Sequence, residues 1–386
     1  MGREEFIVLG ATGMQGRIVS RDLLEKGYHV LLCGRDAGRV NGLLKRYKNS
    51  SYQSFDARDM SRTTSMLKES DAKVVINCVE GDWNLNLLTA CIVARKHSLD
   101  LGSDIPMTKN QMKMHLNLKK KGLTHITGCG SVPGIGNVML RHAVHAFDSI
   151  DTVEVGFNWN SNIKKFVVPF SIQSIIEEFT SPAPVIVNNK MNKINPMDSI
   201  IVASHHKIGR QPQFNVGHHP ETYTFYRHCK GKGIRTVKFY AGFPRHSFDA
   251  ITQMIELGYG GKEPIQYTCG DKIKPIEFLT EVLKNLPVPE GYKEKENLWV
   301  EIKGKRNRKN KEILMECIVP TLEGWEEAGC NIDTGMPASI MAQMISKGEI
   351  NERGSFAPED IVPVKPFFEE LSRRQMIVLE NGKRIN

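Results

Sequence analysis

The sequence has no apolar run of about 18 residues, so no membrane-crossing helix is expected. Met1-Gly2-Arg3-Glu4-Glu5 leads straight into a β-like run and offers no apolar signal-peptide core, so no secretory leader is expected. Phe6 stands where a myristoylation motif wants Ser or Thr, which argues against a lipid anchor. No Cys-x-x-Cys pair occurs among Cys33, Cys78, Cys91, Cys129, Cys229, Cys269, Cys317 and Cys330. Scattered thiols of this kind are expected to be reduced and buried in a cytoplasmic protein, and they argue against a structural zinc site. The pairs His205-His206 and His218-His219 lack Cys or carboxylate partners at ligand spacing, so no metal is expected. No internal repeat or low-complexity segment is present.

The chain nonetheless has 40% apolar and 25% charged residues over 386 positions, enough for two ordinary soluble domains. Its net charge is +9. The densest basic run, Lys303 to Lys311, falls between the β-like runs Leu298–Ile302 and Ile313–Val319 and reads as a solvated hairpin loop. It has no interleaved aromatics, so nucleic acid is not an expected partner. A positive field does suit a small anionic ligand.

The strongest local signal is Phe6-Ile-Val-Leu-Gly10-Ala11-Thr12-Gly13-Met14-Gln15-Gly16, followed by a helical stretch to Lys26. A strand, three glycines and a helix start let the backbone approach a pyrophosphate and offer it N–H donors. The spacing, G-x-x-G-x-x-G, is a variant of the dinucleotide fingerprint. Up to about residue 130, β-like runs at 6–9, 29–33, 51–55, 73–79, 99–101 and 123–127 alternate with helical stretches at 14–26, 36–46, 60–69, 84–96 and 110–121. This predicts βαβ units and a six-stranded, doubly wound parallel sheet with ligands at the strand C-termini.

The second strand ends at Gly34-Arg35-Asp36. A guanidinium pairs with a 2′-phosphate, so NADP is preferred; Asp36 could instead hold a ribose, which keeps NAD open. Asp56 either meets the adenine or caps the next segment. Asn77, Cys78 and Val79 should lie beside the nicotinamide ribose. Asp104 is either a catalytic acid/base or the N-cap of a turn before Pro106. A second glycine-rich turn, Gly128-Cys-Gly-Ser-Val-Pro-Gly134-Ile-Gly-Asn137, precedes another helix, whose free N–H groups could take a substrate carboxylate. Cys129 is either an active-site thiol or a small buried residue. From about 150 to 330 the pattern becomes a mixed sheet with helices on one face, typical of a substrate and dimerisation domain. After Met336 it is helical again, with Ile340, Met341, Met344 and Ile345 on one stripe, a tail expected to pack back on the first domain. The expected division is 1–130, 131–330 and 331–386.

Taken together, Asn77-Cys-Val79, Asp100-Leu-Gly-Ser-Asp104, Gly128 to Asn137, Ile175-Ile-Glu-Glu-Phe-Thr-Ser-Pro-Ala183 and Phe356-Ala-Pro-Glu-Asp360 resemble the saccharopine dehydrogenase family and its lysine 6-dehydrogenase relatives. The resemblance covers nearly the whole chain. It implies a Rossmann domain with an inserted mixed α/β domain closing over the cofactor. It also implies hydride transfer at the carbon of a C–N bond in an amino acid, or in an imine or secondary amine made from one, by a homodimeric enzyme. Asp104 is then the first candidate for proton transfer, with His246 and Cys129 behind it. Arg227, Arg235 and Lys238 would anchor substrate carboxylates. Many relatives carry an arginine–tyrosine pair near residue 238, where this chain reads Lys238-Phe239-Tyr240. A lysine there replaces a planar fork by a point charge, and saccharopine is not assumed as the substrate. Two other readings stand beside this one. One is a non-catalytic NADP(H)-binding regulator or scaffold of the same fold. The other is a short-chain carbonyl reductase, which needs a Tyr-x-x-x-Lys pair on a helix, and no such pair is expected here.

Overall fold

The computed structural model describes residues 4–168, 171–217, 219–266 and 270–386; Cys269 and His218 lie outside these. The first region runs β1 (Phe6–Leu9), α1 (Met14–Glu25), β2 (Val30–Gly34), α2 (Asn41–Arg46), β3 (Ser50–Ser54), α3 (Met60–Glu69), β4 (Val74–Asn77), α4 (Asn84–Val93), β5 (His97–Asp100), α5 (Ile105–Lys113), α6 (His115–Lys120) and β6 (Thr124–Ile126). The second begins with α7 (Ile135–Ala143), β7 (Ser149–Ser161), α8 (Ile172–Thr180), β8 (Ala183–Val187), β9 (Lys190–Ile194), β10 (Ile201–His205), β11 (Gly209–Asn215), α9 (Glu221–Cys229), β12 (Thr236–Gly242) and α10 (Arg245–Glu256). It continues with β13 (Ile265–Gln266), β14 (Lys272–Ile273), α11 (Pro275–Lys284), β15 (Glu294–Arg306) and β16 (Lys309–Pro320). The last elements are α12 (Ile332–Ser346), β17 (Gly354–Phe356), α13 (Pro358–Ile361), α14 (Val364–Arg373), β18 (Ile377–Glu380) and β19 (Lys383–Arg384).

β1 is buried on both faces because helices cover both. Phe6 and Val8 join one core with α1, and Ile7 and Leu9 join another with α3 and α4. That is why the strand reads as an unbroken apolar run. The strand order is β17-β6-β5-β4-β1-β2-β3, parallel throughout. Six of these strands are the expected ones in doubly wound order. The seventh, β17, comes from the tail and pairs with β6. The helix expected at 110–121 is two helices, because Asp104 and Pro106 start α5 earlier.

The second sheet has ten strands, with β10-β11-β12-β7-β15-β16-β18-β19 as its main path. It is mixed, since β12 runs parallel to β7 and β15 antiparallel to it. The basic run is not a loop. β15 and β16 stay paired to Arg306 and Lys309, and only Asn307 and Arg308 turn the corner, both with positive φ.

α12 has no single apolar stripe; it is buried on nearly every side, sandwiched against α1, β4 and β5. The Arg374 guanidinium donates to both Asp22 carboxylate oxygens at 2.8 Å, and Ser339 Oγ donates to the same carboxylate at 2.6 Å. This buried ion pair ties the tail to α1. The tail also adds β18 and β19 to the second sheet, so it contributes strands to both.

Candidate functional site

Gly10 ends β1 with φ +78°, and a Cβ there would lie 2.8 Å from the Cys78 carbonyl oxygen. A Cβ on Gly16 would lie 2.1 Å from the Gly10 carbonyl oxygen, so only glycine lets α1 start this close to the strand. A Cβ on Gly34 would meet the Thr12 side chain at 2.4 Å. α1 begins at Gly13 with no side-chain cap, which leaves its first N–H groups for a ligand.

A cleft of about 420 Å³ opens over this turn. Gly10, Thr12 and Gly13 form its floor, and Gly34, Arg35 and Arg39 one wall. Phe55 to Arg58 follow from the end of β3, and Cys78 to Glu80 with Trp83 from the end of β4. The remaining expected cofactor residues stand behind or beside the cleft. Ala11 is fully buried. Gln15 donates from Nε2 to Asn331 Oδ1 at 3.4 Å. Met14 lines a separate cavity of about 360 Å³ with Arg17 and Trp325. Asn77 accepts from Val79 N and donates to Asn84, holding the turn after β4.

Asp36 accepts from Gly38 N at 2.9 Å and so spends its carboxylate on a local turn. Asp56 is gripped by Arg58 through Nε and Nη2, and that guanidinium holds its carboxyl well below the usual range. Three arginines and no uncommitted acid at the β2 tip suit a 2′-phosphate. The glycine cradle and the cleft fit NADP, which when bound supplies or accepts the hydride.

The second glycine-rich turn works differently. Asp100, fully buried at the end of β5, accepts from Gly102 N at 2.8 Å, Gly128 N at 3.0 Å and Gln111 Nε2 at 2.5 Å. Burial opposes its charge, but His125, Gln111 and Gly128 outweigh that and keep its carboxyl below the usual range. The α7 amides expected to be free are spent. Gly134 N donates to Asn137 Oδ1, Ile135 N to Gly130 O and Gly136 N to Ser131 O. A substrate carboxylate therefore finds no open anion hole at this helix start.

Asp104 accepts from Met107 N at 2.8 Å as the N-cap of α5. Cys129 is fully buried, bonds to the Ile126 carbonyl, and burial raises its thiol well above the usual range. A thiol so placed cannot reach a substrate. His246 starts α10, and burial lowers its pKa. Its Nε2 is buried and has no hydrogen-bond partner among the described residues.

The three expected carboxylate anchors are not brought together. Arg227 pairs with Asp360. Arg235 is exposed beside Asn188. Lys238 lies 3.9 Å from Glu154, on the face of β12 opposite Phe239, because strand side chains alternate. The sequence does hold one Tyr-x-x-x-Lys spacing, Tyr226 to Lys230 on and just after α9. Tyr226 Oη donates to Asn189 and Lys230 is exposed, so the pair does not form a reductase dyad.

Residues that the sequence did not single out gather where the second sheet meets the second turn. His219 Nδ1 bonds to the Val132 carbonyl at 3.0 Å, and its ring stacks on Phe239 with centroids 3.7 Å apart. Glu178 of α8 lies 3.8 Å from its Nε2, and Glu221 of α9 lies 3.9 Å from its Nδ1. Glu296 on β15 stands opposite Trp159 and is coupled electrostatically to Asp333 at the start of α12. Thr334 Oγ1 donates to Ser131 Oγ at 3.3 Å, which joins this acidic group to the second turn. Burial and the nearby Asp333 carboxylate raise Glu296 well above the usual range, with Glu294 and Glu178 adding to the effect. Burial pushes Asp333 up to about 7. Signals existed for some of these: Asp100 and Glu178 lie in stretches already quoted, and Arg39 follows Arg35 by one helical turn.

A parallel sheet with a glycine cradle at its switch point and an arginine-lined cleft, joined to a mixed sheet, fit an NADP-dependent oxidoreductase. The saccharopine dehydrogenase NADP binding domain matches residues 6–126, and the saccharopine dehydrogenase C-terminal domain matches residues 120–377. The chain belongs to the saccharopine dehydrogenase family, oxidoreductases acting at C–N bonds. It is 23% identical over 381 residues to carboxyaminopropylagmatine dehydrogenase of Synechocystis, covering 95% of this chain and 94% of that one. It is 23% identical over 347 residues to carboxynorspermidine synthase of Vibrio cholerae, covering 86% and 83%. Apo saccharopine dehydrogenase (L-Glu forming) from Saccharomyces cerevisiae shares the fold, with a TM-score of 0.77 at 13% identity over 99% of this chain and 100% of that one. No finding favours the scaffold reading. Among the described residues no helix is long and apolar enough to cross a membrane.

Proposed function

We propose that the substrate is a secondary amine, or the imine it derives from, with an amino-acid carboxylate at one end and a cationic amine or guanidine arm at the other. The observation that carries this is the acidic junction of Glu178, Glu294, Glu296 and Asp333, set inside a chain of net charge +9. Carboxylates raised by one another and by burial are relieved when a cation arrives. Both curated relatives are named for carboxylated polyamine or agmatine derivatives, which supports the same chemistry. The cofactor cleft is basic and the junction acidic, so each end of the reaction has a wall of matching charge.

The test is NADP⁺ reduction followed at 340 nm with carboxyaminopropylagmatine, carboxynorspermidine and saccharopine. The first two should be turned over with a kcat/KM at least about tenfold above saccharopine, and Glu296→Gln should erase that preference. A preference for saccharopine would sink the reading.

The division near residues 130 and 330 is proposed to separate cofactor, substrate and tail functions. A cytoplasmic setting is proposed on the seven free cysteines of the described residues. A homodimer is proposed on the apolar edge strand β10, where Ile201 and Val202 are about half exposed; light scattering checks it.

A further inference from the structure

The proton-transfer group for C–N chemistry must sit where the second sheet faces the cofactor strands, with one titratable atom open and the rest of the side chain fixed. Asp104 spends its carboxylate on an N-cap and Cys129 is closed off. His219 meets the requirement. We infer that His219 Nε2 gives the proton to the nitrogen of the C=N bond during reduction and takes it back during amine oxidation.

The geometry sets the tautomer. A carbonyl oxygen only accepts, so the 3.0 Å contact to Val132 O fixes the hydrogen on Nδ1. The mobile proton then belongs to Nε2. The ring is clamped by stacking on Phe239, 13° from parallel, with Phe157 tilted beside it at 6.3 Å. Its side chain is 15% exposed, a narrow window rather than a surface. The Nε2 neighbour, Glu178, stands at 3.8 Å, longer than a hydrogen bond, so this contact does not fix the Nε2 proton.

Behind the ring lie two buried carboxyls; burial pushes Glu221 up to about 7, with His219 opposing the rise, and also raises Glu359. Glu221 is fully buried, and neither of its carboxylate oxygens has a hydrogen-bond partner among the described residues. Further back, Glu359 of α13 is fully buried, with Oε2 accepting from Asn137 and Oε1 without a hydrogen-bond partner among the described residues. The titratable groups facing His219 are therefore Glu178 from α8 and Glu221 from α9, with Glu359 behind Glu221; β7 and β12 present aromatic rings. Burial disfavours the imidazolium, but the two glutamates outweigh that and raise His219 above its ordinary value. Two acids around one imidazole let it reload after each turnover.

The step balances. Hydride adds to the carbon of the C=N bond, the π pair moves to nitrogen, and nitrogen bonds the proton leaving His219 Nε2. The imine is reduced to a secondary amine, the nicotinamide is oxidised, and a neutral Nδ1–H imidazole remains.

This inference needs the family's C–N reaction and not the cationic arm proposed above, so the two fail separately. The wild-type order of the three compounds tests the arm; His219 is tested on whichever is turned over fastest. His219→Asn should lower kcat at least about 100-fold, with NADPH binding, read by nicotinamide fluorescence, within twofold of wild type. In amine oxidation kcat/KM should rise with pH through the His219 titration, and this limb should vanish in the variant. Glu221→Gln should move the limb toward acid, because it removes an anion that favours the imidazolium. Imidazole added to His219→Gly should restore part of the rate, which a structural defect would not allow. Independently of any substrate, ¹⁵N NMR of the NADP⁺ complex should show neutral His219 as the Nδ1–H tautomer. An Nε2–H tautomer, a kcat within threefold of wild type in His219→Asn, or an unmoved pH limb would each overturn the assignment.

Discussion

The chain builds the same local pattern twice, a strand, a glycine-rich turn and a helix, and uses it for opposite purposes. At Gly10–Gly16 the helix start is left open and a cleft forms above it. At Gly128–Gly136 the turn's amides are consumed by Asp100, Asn137, Gly130 and Ser131, and the turn becomes a rivet between the two sheets. A glycine-rich turn before a helix is therefore an anion site only when nothing within the protein has already claimed its donors.

Substitution of one glycine in each turn separates the two roles. Gly134 has φ +138°, and a Cβ would lie 1.8 Å from Gly130 O. Gly134→Ala should cost about 3 kcal/mol or more of stability, seen as a lowered urea midpoint. Gly16→Ala, which also crowds the Gly10 backbone, should in addition weaken NADPH binding at least about 100-fold, roughly 2.7 kcal/mol, as isothermal titration would show. A Gly134→Ala protein of normal stability that had lost NADPH would break the contrast.

Arg35→Ala sharpens the first turn's side. Loss of a charge-assisted bond to the 2′-phosphate should weaken NADPH by about ten- to a hundredfold and leave NADH nearly unchanged, as isothermal titration would show. An equal loss for both cofactors would move phosphate recognition to Arg39 or Arg58.

A smaller effect belongs to the acidic junction beside the second turn. Asp333 titrates near 7 when folded, above its usual value, because of burial. Its contribution to stability is whole below the unfolded pKa and is lost as pH rises toward 7. Stability should therefore decline between about pH 4 and pH 7, and Asp333→Asn should flatten that slope in denaturant titrations. A slope unchanged in the variant would place the effect on another group.

The first sheet was legible in the sequence because its signals are local: apolar runs, glycine spacing and helix periodicity alternate in register with the fold. β17 was not legible, since Gly354-Ser-Phe356 is short and acquires its meaning only from pairing with β6. Lys238 was misplaced because a basic residue on a strand suggests a ligand, whereas the alternation of β12 puts it on the far face beside Glu154. Arg227 was misplaced because its partner, Asp360, lies 133 residues away. His219 was visible only as half of a pair. Its partners come from α8, α9 and the second turn, and no spacing announces such a meeting.

The tail supplies a strand to each sheet, with β17 beside β6 and β18 beside β16. In biosynthesis the β6 and β16 edges thus stay unpaired until more than 350 residues have left the ribosome. An unpaired edge is a template for another chain. β6 and β16 are covered at nearly the same point in the chain, while β3 and β10 stay edge strands.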